Sequence, residues 1–131
     1  MEAIKQAELR TSGEIRISIS TFFLGNVRKT AERAFVRLGM TRTKEGNGVL
    51  FFVVPSRRRF VVLGDEGVQA KAGQEFWDRL ATILGEKFRK REFTEGLVLA
   101  VREAGEMLAV HFPYCPDTDK NELSNEIDFN N

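Results

Sequence analysis

The most constraining feature of this chain is a pair of unbroken apolar runs, Val49–Val54 and Phe60–Leu63, joined by Pro55-Ser56-Arg57-Arg58. Both runs are rich in β-branched and aromatic residues and too short for an ordinary helix. They read as two strands around a polar turn, hence an antiparallel hairpin. Neither run alternates apolar with polar residues. A strand covered on one face alternates, whereas a strand covered on both faces need not. The hairpin therefore belongs in the middle layer of a sandwich with helices on both sides.

Glycines and polar residues bracket the hairpin. Gly46-Asn47-Gly48 leads into it and Gly64-Asp65-Glu66-Gly67 leads out. Because the strands run in opposite directions, both brackets fall at one edge of the sheet, which places Asn47, Asp65 and Glu66 close together. Upstream, Glu14–Ser20 alternates Ile15, Ile17 and Ile19 with Arg16, Ser18 and Ser20, the pattern of a half-buried strand. Asn26 is placed as the N-cap of a helix that carries Val27, Ala31, Ala34, Phe35 and Leu38 on one face and stops at Gly39. Strand, helix and strand make a crossover unit whose two strands are parallel. Glu14, at the start of the first strand, then joins the edge that holds Asn47 and Asp65.

The flanking segments read as helices. Residues 1–10 carry a thin apolar edge of Ile4 and Ala7. Asp65 is placed to cap a short helix over 66–72. A longer helix over 74–90 carries Phe76, Trp77, Leu80, Ala81, Ile83, Leu84 and Phe88 as a broad stripe. Thr94 is placed as the cap of a last helix, with Phe93 and Val98 as its staple, ending before Pro113. The expected architecture is a small three-layer α/β/α sandwich with a mixed sheet of at least three strands and a central antiparallel hairpin. Residues 1–112 form a single domain, and 113–131 form an acidic, loosely ordered tail.

Composition narrows the function classes. A chain of 131 residues supports one domain with a real core. Its net charge of +1 makes no case for nucleic acid or an anionic membrane. The charge is uneven: five acids against Lys120 give 113–131 a balance of −4, leaving +5 on the body. A single cysteine, Cys115, excludes an intrachain disulfide, and His111 alone cannot make a histidine metal site. No apolar run reaches membrane-spanning length and no signal peptide is visible, so the expectation is a soluble, cytoplasmic monomer. Phosphate-binding loops, nucleophile elbows, paired-cysteine motifs and His-Glu-x-x-His are all missing.

Oxygen ligands remain. Glu14, Asn47, Asp65 and Glu66 converge beside glycines that let a ligand approach the backbone, and carboxylate plus amide oxygen suits Ca2+ or Mg2+. The plainer alternative is that Asp65 only caps a helix, Asn47 only shapes a turn and Glu14 is solvated. A second run, Asp117-Thr118-Asp119-Lys120-Asn121 with Asp128 at position 12, partly matches a calcium loop, but Glu122 stands where glycine is needed. That run reads as an acidic tail. At the opposite edge, Arg57, Arg58 and Arg59 read as a solubilising turn.

Several ordered motifs resemble one family: Thr11-Ser12-Gly13-Glu14-Ile15, Ala31-Glu32-Arg33-Ala34-Phe35, Leu38-Gly39, Asn47-Gly48-Val49-Leu50, Gly64-Asp65-Glu66-Gly67 and Phe93-Thr94-Glu95-Gly96-Leu97. Together they look like the TPM domain, over about residues 8–112. That family is named after a thylakoid lumen protein, a photosystem II repair protein and a nematode acetylcholine-receptor auxiliary protein. His111-Phe112-Pro113 and Asn121-Glu122-Leu123 are similar to its compact soluble bacterial branch, whose members have a longer first helix, which implies a truncated start here. The resemblance implies a Rossmann-like α/β/α fold. It also implies weak acid phosphatase activity in some members, divalent-cation binding in some, and assembly or repair of membrane complexes in others. Many relatives are exported or membrane-anchored. The metal-associated acidic position after the hairpin maps to Asp65.

Two functions follow. One is a weak, metal-dependent acid phosphatase, for which the chain offers no recognisable general acid or base. The other is a non-enzymatic module that binds another protein in assembly or repair of membrane-associated complexes.

Overall fold

The structure, a computed structural model, describes residues 2–20, 25–43, 45–114 and 127–130. Helix α1 (Glu2–Glu8) precedes strand β1 (Glu14–Ser20) and helix α2 (Val27–Arg37). Strands β2 (Gly48–Val54) and β3 (Arg59–Gly64) follow as a hairpin turned through a short 3-10 segment at Pro55–Arg57. Helices α3 (Glu66–Lys71), α4 (Gln74–Arg89) and α5 (Phe93–His111) come next, and strand β4 is Asp128–Asn130.

Among the described residues, the sheet has four strands in the order β3-β2-β1-β4. Strand β1 is parallel to both neighbours, and β2 and β3 are antiparallel. This is the mixed α/β sandwich expected from the sequence. One face packs Ile15, Ile17, Val49, Phe51 and Val53 against α1, α4 and α5, with Leu80, Leu84, Phe88, Val101 and Leu108 at the centre. The other packs Leu50, Phe52, Val54 and Leu63 against Val27, Ala31, Ala34 and Phe35 of α2. Every residue of β2 is buried, which is why its sequence does not alternate. Strand β3 lies in the same middle layer but at the sheet's edge, so Phe60, Val61 and Val62 are only half-buried.

Three local expectations change. Strand β1 is not half-buried: Arg16, Ser18 and Ser20 are as enclosed as the isoleucines on its other face, except for the partly exposed Ile19. Its polar side is covered: Ser18 Oγ donates to the Asp128 carboxylate at 2.8 Å, while Arg16 Nε is buried with no hydrogen-bond partner among the described residues. Helix α5 begins at Phe93, one residue before the expected cap, and Glu92 at the cap position makes no side-chain capping bond. Phe93 is instead an internal contact, its ring 4.9 Å from that of Phe88 in edge-to-face geometry. Finally, Asp128–Asn130 is a strand, within a segment whose sequence shows no periodicity. The rest of the acidic run, including Asp117 to Glu122, lies outside the described residues.

Helix α2 does start as its sequence dictates, with Asn26 Oδ1 accepting from the Lys29 amide at 2.9 Å. Gly39, at φ +78°, ends the turn that follows it.

Candidate functional site

Strand register sets the geometry of the edge that carries Asp65. Glu14 pairs with Gly48, and Val49 pairs with Gly64. The ladder continues one step further, with the Glu14 amide donating to the Asn47 carbonyl at 3.3 Å and the Asp65 amide to the Gly48 carbonyl at 3.0 Å. Glu14, Asn47 and Asp65 therefore share one edge.

Two glycine-bearing loops meet there. Gly46 sits at φ +62°, a conformation that strains other residues. A Cβ on Gly67 would lie 2.3 Å from the Glu45 carbonyl oxygen and 2.7 Å from that of Gly46. The Val68 amide donates to the Gly46 carbonyl at 3.2 Å. The loops thus touch backbone to backbone and flank an open hollow of about 520 Å³ lined, among the described residues, by Thr41, Thr43, Glu45, Gly46, Asp65, Glu66 and Gly67. Among the described residues, this lining consists of two hydroxyls, three carboxylates and backbone, with no basic side chain.

Each proposed site residue has a distinct place. Asp65 caps α3, its Oδ1 accepting from the Glu66 amide at 2.8 Å. Its Oδ2 lies on the Gly46 side, 3.8 Å from where a Cβ on that glycine would stand. One oxygen holds the helix while the other stands on the side of Gly46, and both residues line the hollow. Glu66 is exposed on the rim. Asn47 is buried and scaffolds the loop: its amide N–H donates to Thr43 Oγ1 at 3.1 Å, and its side-chain Nδ2 donates to Glu45 Oε2 at 3.0 Å and to Ser12 Oγ at 3.2 Å. Glu14 is buried within the start of β1 rather than solvated, at 3 % exposure, and is absent from the lining. Among the described residues, no three acidic, cysteine or histidine side chains converge into one metal shell.

Glu45 escapes a reading based on residue types at the hairpin's brackets. Its Oε2 accepts from Ser12 Oγ at 2.6 Å as well as from Asn47, which fixes the carboxylate at the mouth of the hollow. Its place directly before Gly46-Asn47-Gly48 was the available signal, since the register that brings in Asn47 also brings in its neighbours.

The other candidates lie elsewhere. Asp128, the last position of the calcium-loop match, is engaged by Arg37 at 2.8 Å and by Ser18. The Arg37 guanidinium holds its carboxyl below the ordinary carboxylate value. At the far end of the hairpin, Arg57 donates to the Gly25 carbonyl at 2.9 Å, and Arg58 takes a left-handed conformation that closes the turn. His111 is exposed at the end of α5. Among the described residues, no helix is long and apolar enough to cross a membrane.

Comparison with known proteins agrees with this fold. A family model described as the TPM domain matches residues 1–107. The NMR structure of the BA42 protein from the psychrophilic bacterium Bizionia argentinensis is 36% identical with a TM-score of 0.91, covering 98% of this chain and 88% of that one. The N-terminal domain of a protein from P. gingivalis shares the fold at 16% identity and a TM-score of 0.69, over 87% of this chain and 76% of that one. The N-terminal domain of the cg2496 protein from Corynebacterium glutamicum does so at 13% and 0.59, over 82% and 65%. Among curated proteins none matches. With the family model spanning most of its length, and with the hairpin, its glycine brackets and the three-layer packing all in place, this chain belongs to the TPM domain family.

Proposed function

We propose that this TPM domain binds a divalent cation, Ca2+ or Mg2+, in the hollow at the Asp65 edge, and that the cation supports weak hydrolysis of phosphomonoesters. The observation that supports it is the lining: Asp65, Glu66 and Glu45 carboxylates with Thr41 and Thr43 around glycine backbone, and no cationic side chain among them. Hard cations take carboxylate, hydroxyl, carbonyl and water oxygens together, so a shell of fewer than three acidic residues completed by neutral oxygens fits their chemistry. Asp65 supplies the Oδ2 that its capping role leaves over. Glu45 and Glu66 supply charge at the mouth.

The same lining makes hydrolysis conditional on the metal. A phosphate dianion meets only negative and neutral groups among the described lining residues, so these repel it unless a cation neutralises them. When bound, the cation polarises a phosphoryl oxygen and lowers the pKa of a water. The chain's own contribution is Glu45, held by Ser12 and Asn47, as an acceptor for that water's proton.

One observation favours a second reading, in which the cation is structural and the domain binds another protein. Among the described residues, the hollow's lining includes no histidine, cysteine, lysine or arginine to donate a proton to a leaving group.

Melting curves and phosphomonoester turnover, each recorded with Ca2+, Mg2+ or chelator, test both readings. A site that binds only the folded state gains about 2.7 kcal/mol at a hundredfold excess of cation over its dissociation constant. Asp65→Ala is expected to remove that increment, and to cost about 1 kcal/mol more in chelator because the α3 cap is lost. Identical melting curves under all three conditions would sink the cation site. A cation increment without turnover selects the binding module.

A further inference from the structure

Strand β3 has one neighbour among the described strands, β2, so its other side is an edge. The Asp65 amide donates inward to Gly48, and antiparallel ladders alternate. Arg59, Val61 and Leu63 therefore turn their backbone groups toward β2, while Phe60, Val62 and Gly64 turn theirs outward. One of those outward groups, the Gly64 carbonyl, accepts from the Gln69 side chain at 3.2 Å and keeps a second lone pair. Residues 60–63 are Phe-Val-Val-Leu, without the lysine, proline or bulge that ordinarily blunts an exposed edge. Charge stands only at the two ends: Arg57, Arg58 and Arg59 at one, Asp65 and Glu66 at the other.

We infer that this edge pairs with the β3 edge of a second copy, antiparallel about a two-fold axis at Val62. That register sets Val62 opposite Val62 and Phe60 opposite Gly64, so every outward-facing residue meets an outward-facing partner. It also sets the Arg58-Arg59 end of each copy against the Asp65-Glu66 end of the other, in both halves at once. Parallel pairing would set like charges together, a one-residue slip would set outward groups against inward ones, and a two-residue slip would leave Phe60 or Gly64 without a strand partner. The charge order and the hydrogen-bond alternation, which are independent of each other, select the same register. The result is an isologous interface that continues the sheet through both copies.

The test is run in chelator, which keeps it separate from the cation reading. Molecular mass is followed by sedimentation with protein rising to about 1 mM, where even a millimolar dissociation constant shows. Hydrogen exchange is read at single amides over the same range. The expected result is a mass rising toward twice the monomer, with exchange at Phe60 and Val62 slowing as concentration rises while Val61 and Leu63 stay protected throughout. Arg58→Glu is expected to weaken association at least tenfold, and Arg58→Glu with Glu66→Arg to restore it. A monomer at every concentration overturns the inference. So does a dimer that ignores Arg58→Glu and leaves the Phe60 and Val62 amides unchanged, because it must use another surface.

Discussion

The two ends of the β2–β3 hairpin carry opposite charge and are built in opposite ways. At the acidic end, two loops press backbone against backbone, Gly67 has no room for a Cβ, and Asp65 is tied by one oxygen while the other stands on the side of Gly46, beside a hollow. At the basic end, Pro55–Arg57 makes a short turn, its arginines are exposed, and Arg57 reaches across to the Gly25 carbonyl. A charged cluster alone does not distinguish a site from a solvated turn, and both ends have one. What separates them is backbone packing: among the described residues, the acidic end combines charge with a close backbone approach beside an open hollow, and the basic end does not.

That contrast depends on a rigid frame between the two ends. Leu50 is fully buried in β2 against the α2 face. Leu50→Asp places an unpaired carboxylate in that layer, at a cost of several kcal/mol, comparable to the stability of a small domain. The expected outcome is loss of the cooperative urea transition. A variant that unfolds with the wild-type midpoint would show that the hairpin is not clamped between the layers.

Gly67→Ala breaks the acidic end alone. Helix propensity favours alanine over glycine by about 1 kcal/mol, and Gly67 lies within α3. Steric crowding opposes this, because the new methyl would stand 2.3 Å from a backbone oxygen that cannot rotate away. Overpacking of this kind costs about 1–3 kcal/mol, so the net expectation is destabilisation, together with loss of any cation-dependent rise in melting temperature. Unchanged or increased stability in chemical denaturation would mean that the loops separate freely and the hollow is not preformed.

Much of this contrast was legible in residue types and spacing. The unbroken apolar runs fix the hairpin, and strand direction then places Glu14, Asn47 and Asp65 at one edge. Harder to see was the fate of polar side chains. Alternation in β1 signals a solvated face, yet Arg16, Ser18 and Ser20 are buried, because cover and partners came from sequence-distant segments such as β4. Three residues, Asp128-Phe129-Asn130, are too few to show a period, and they pair only because the β1 edge is open to them. The site was half-legible for a related reason. Charges and glycines are visible in the sequence, but the rotation that sends Glu14 inward and leaves Glu45 at the mouth is set by loop packing.

Asp128 gives the comparison an internal control, as an acid fully engaged by partners rather than facing a hollow. Arg37 lowers its carboxyl in the folded protein relative to the unfolded chain. A depressed folded-state value means stability that is present above the unfolded carboxylate range and lost as pH falls through the folded value. Arg37 is about half exposed, so the contribution is that of a partly solvated pair, about 1 kcal/mol or less. Urea midpoints of wild type and Asp128→Asn are expected to differ at neutral pH and to converge in acid. A constant difference down to the lowest pH would mean that Asp128 acts through the shape of β4 rather than its charge.

The smallest effect is expected at the basic end. Arg57 is exposed, and its guanidinium donates to the Gly25 carbonyl at 2.9 Å across the surface. A bond between a solvated side chain and a surface carbonyl exchanges for water at little net cost, so Arg57→Ser is expected to shift stability by no more than about 0.5 kcal/mol. Cation-dependent melting and any phosphomonoester turnover should be unchanged, because the residue lies at the opposite end of the hairpin from Asp65. This is the informative variant if the assignment of ends is mistaken. The basic turn sits where β1 delivers its carboxyl end, and open α/β sheets bind ligands at that edge. Wild-type stability combined with lost turnover in Arg57→Ser would reverse the comparison and move the functional edge to the arginine turn.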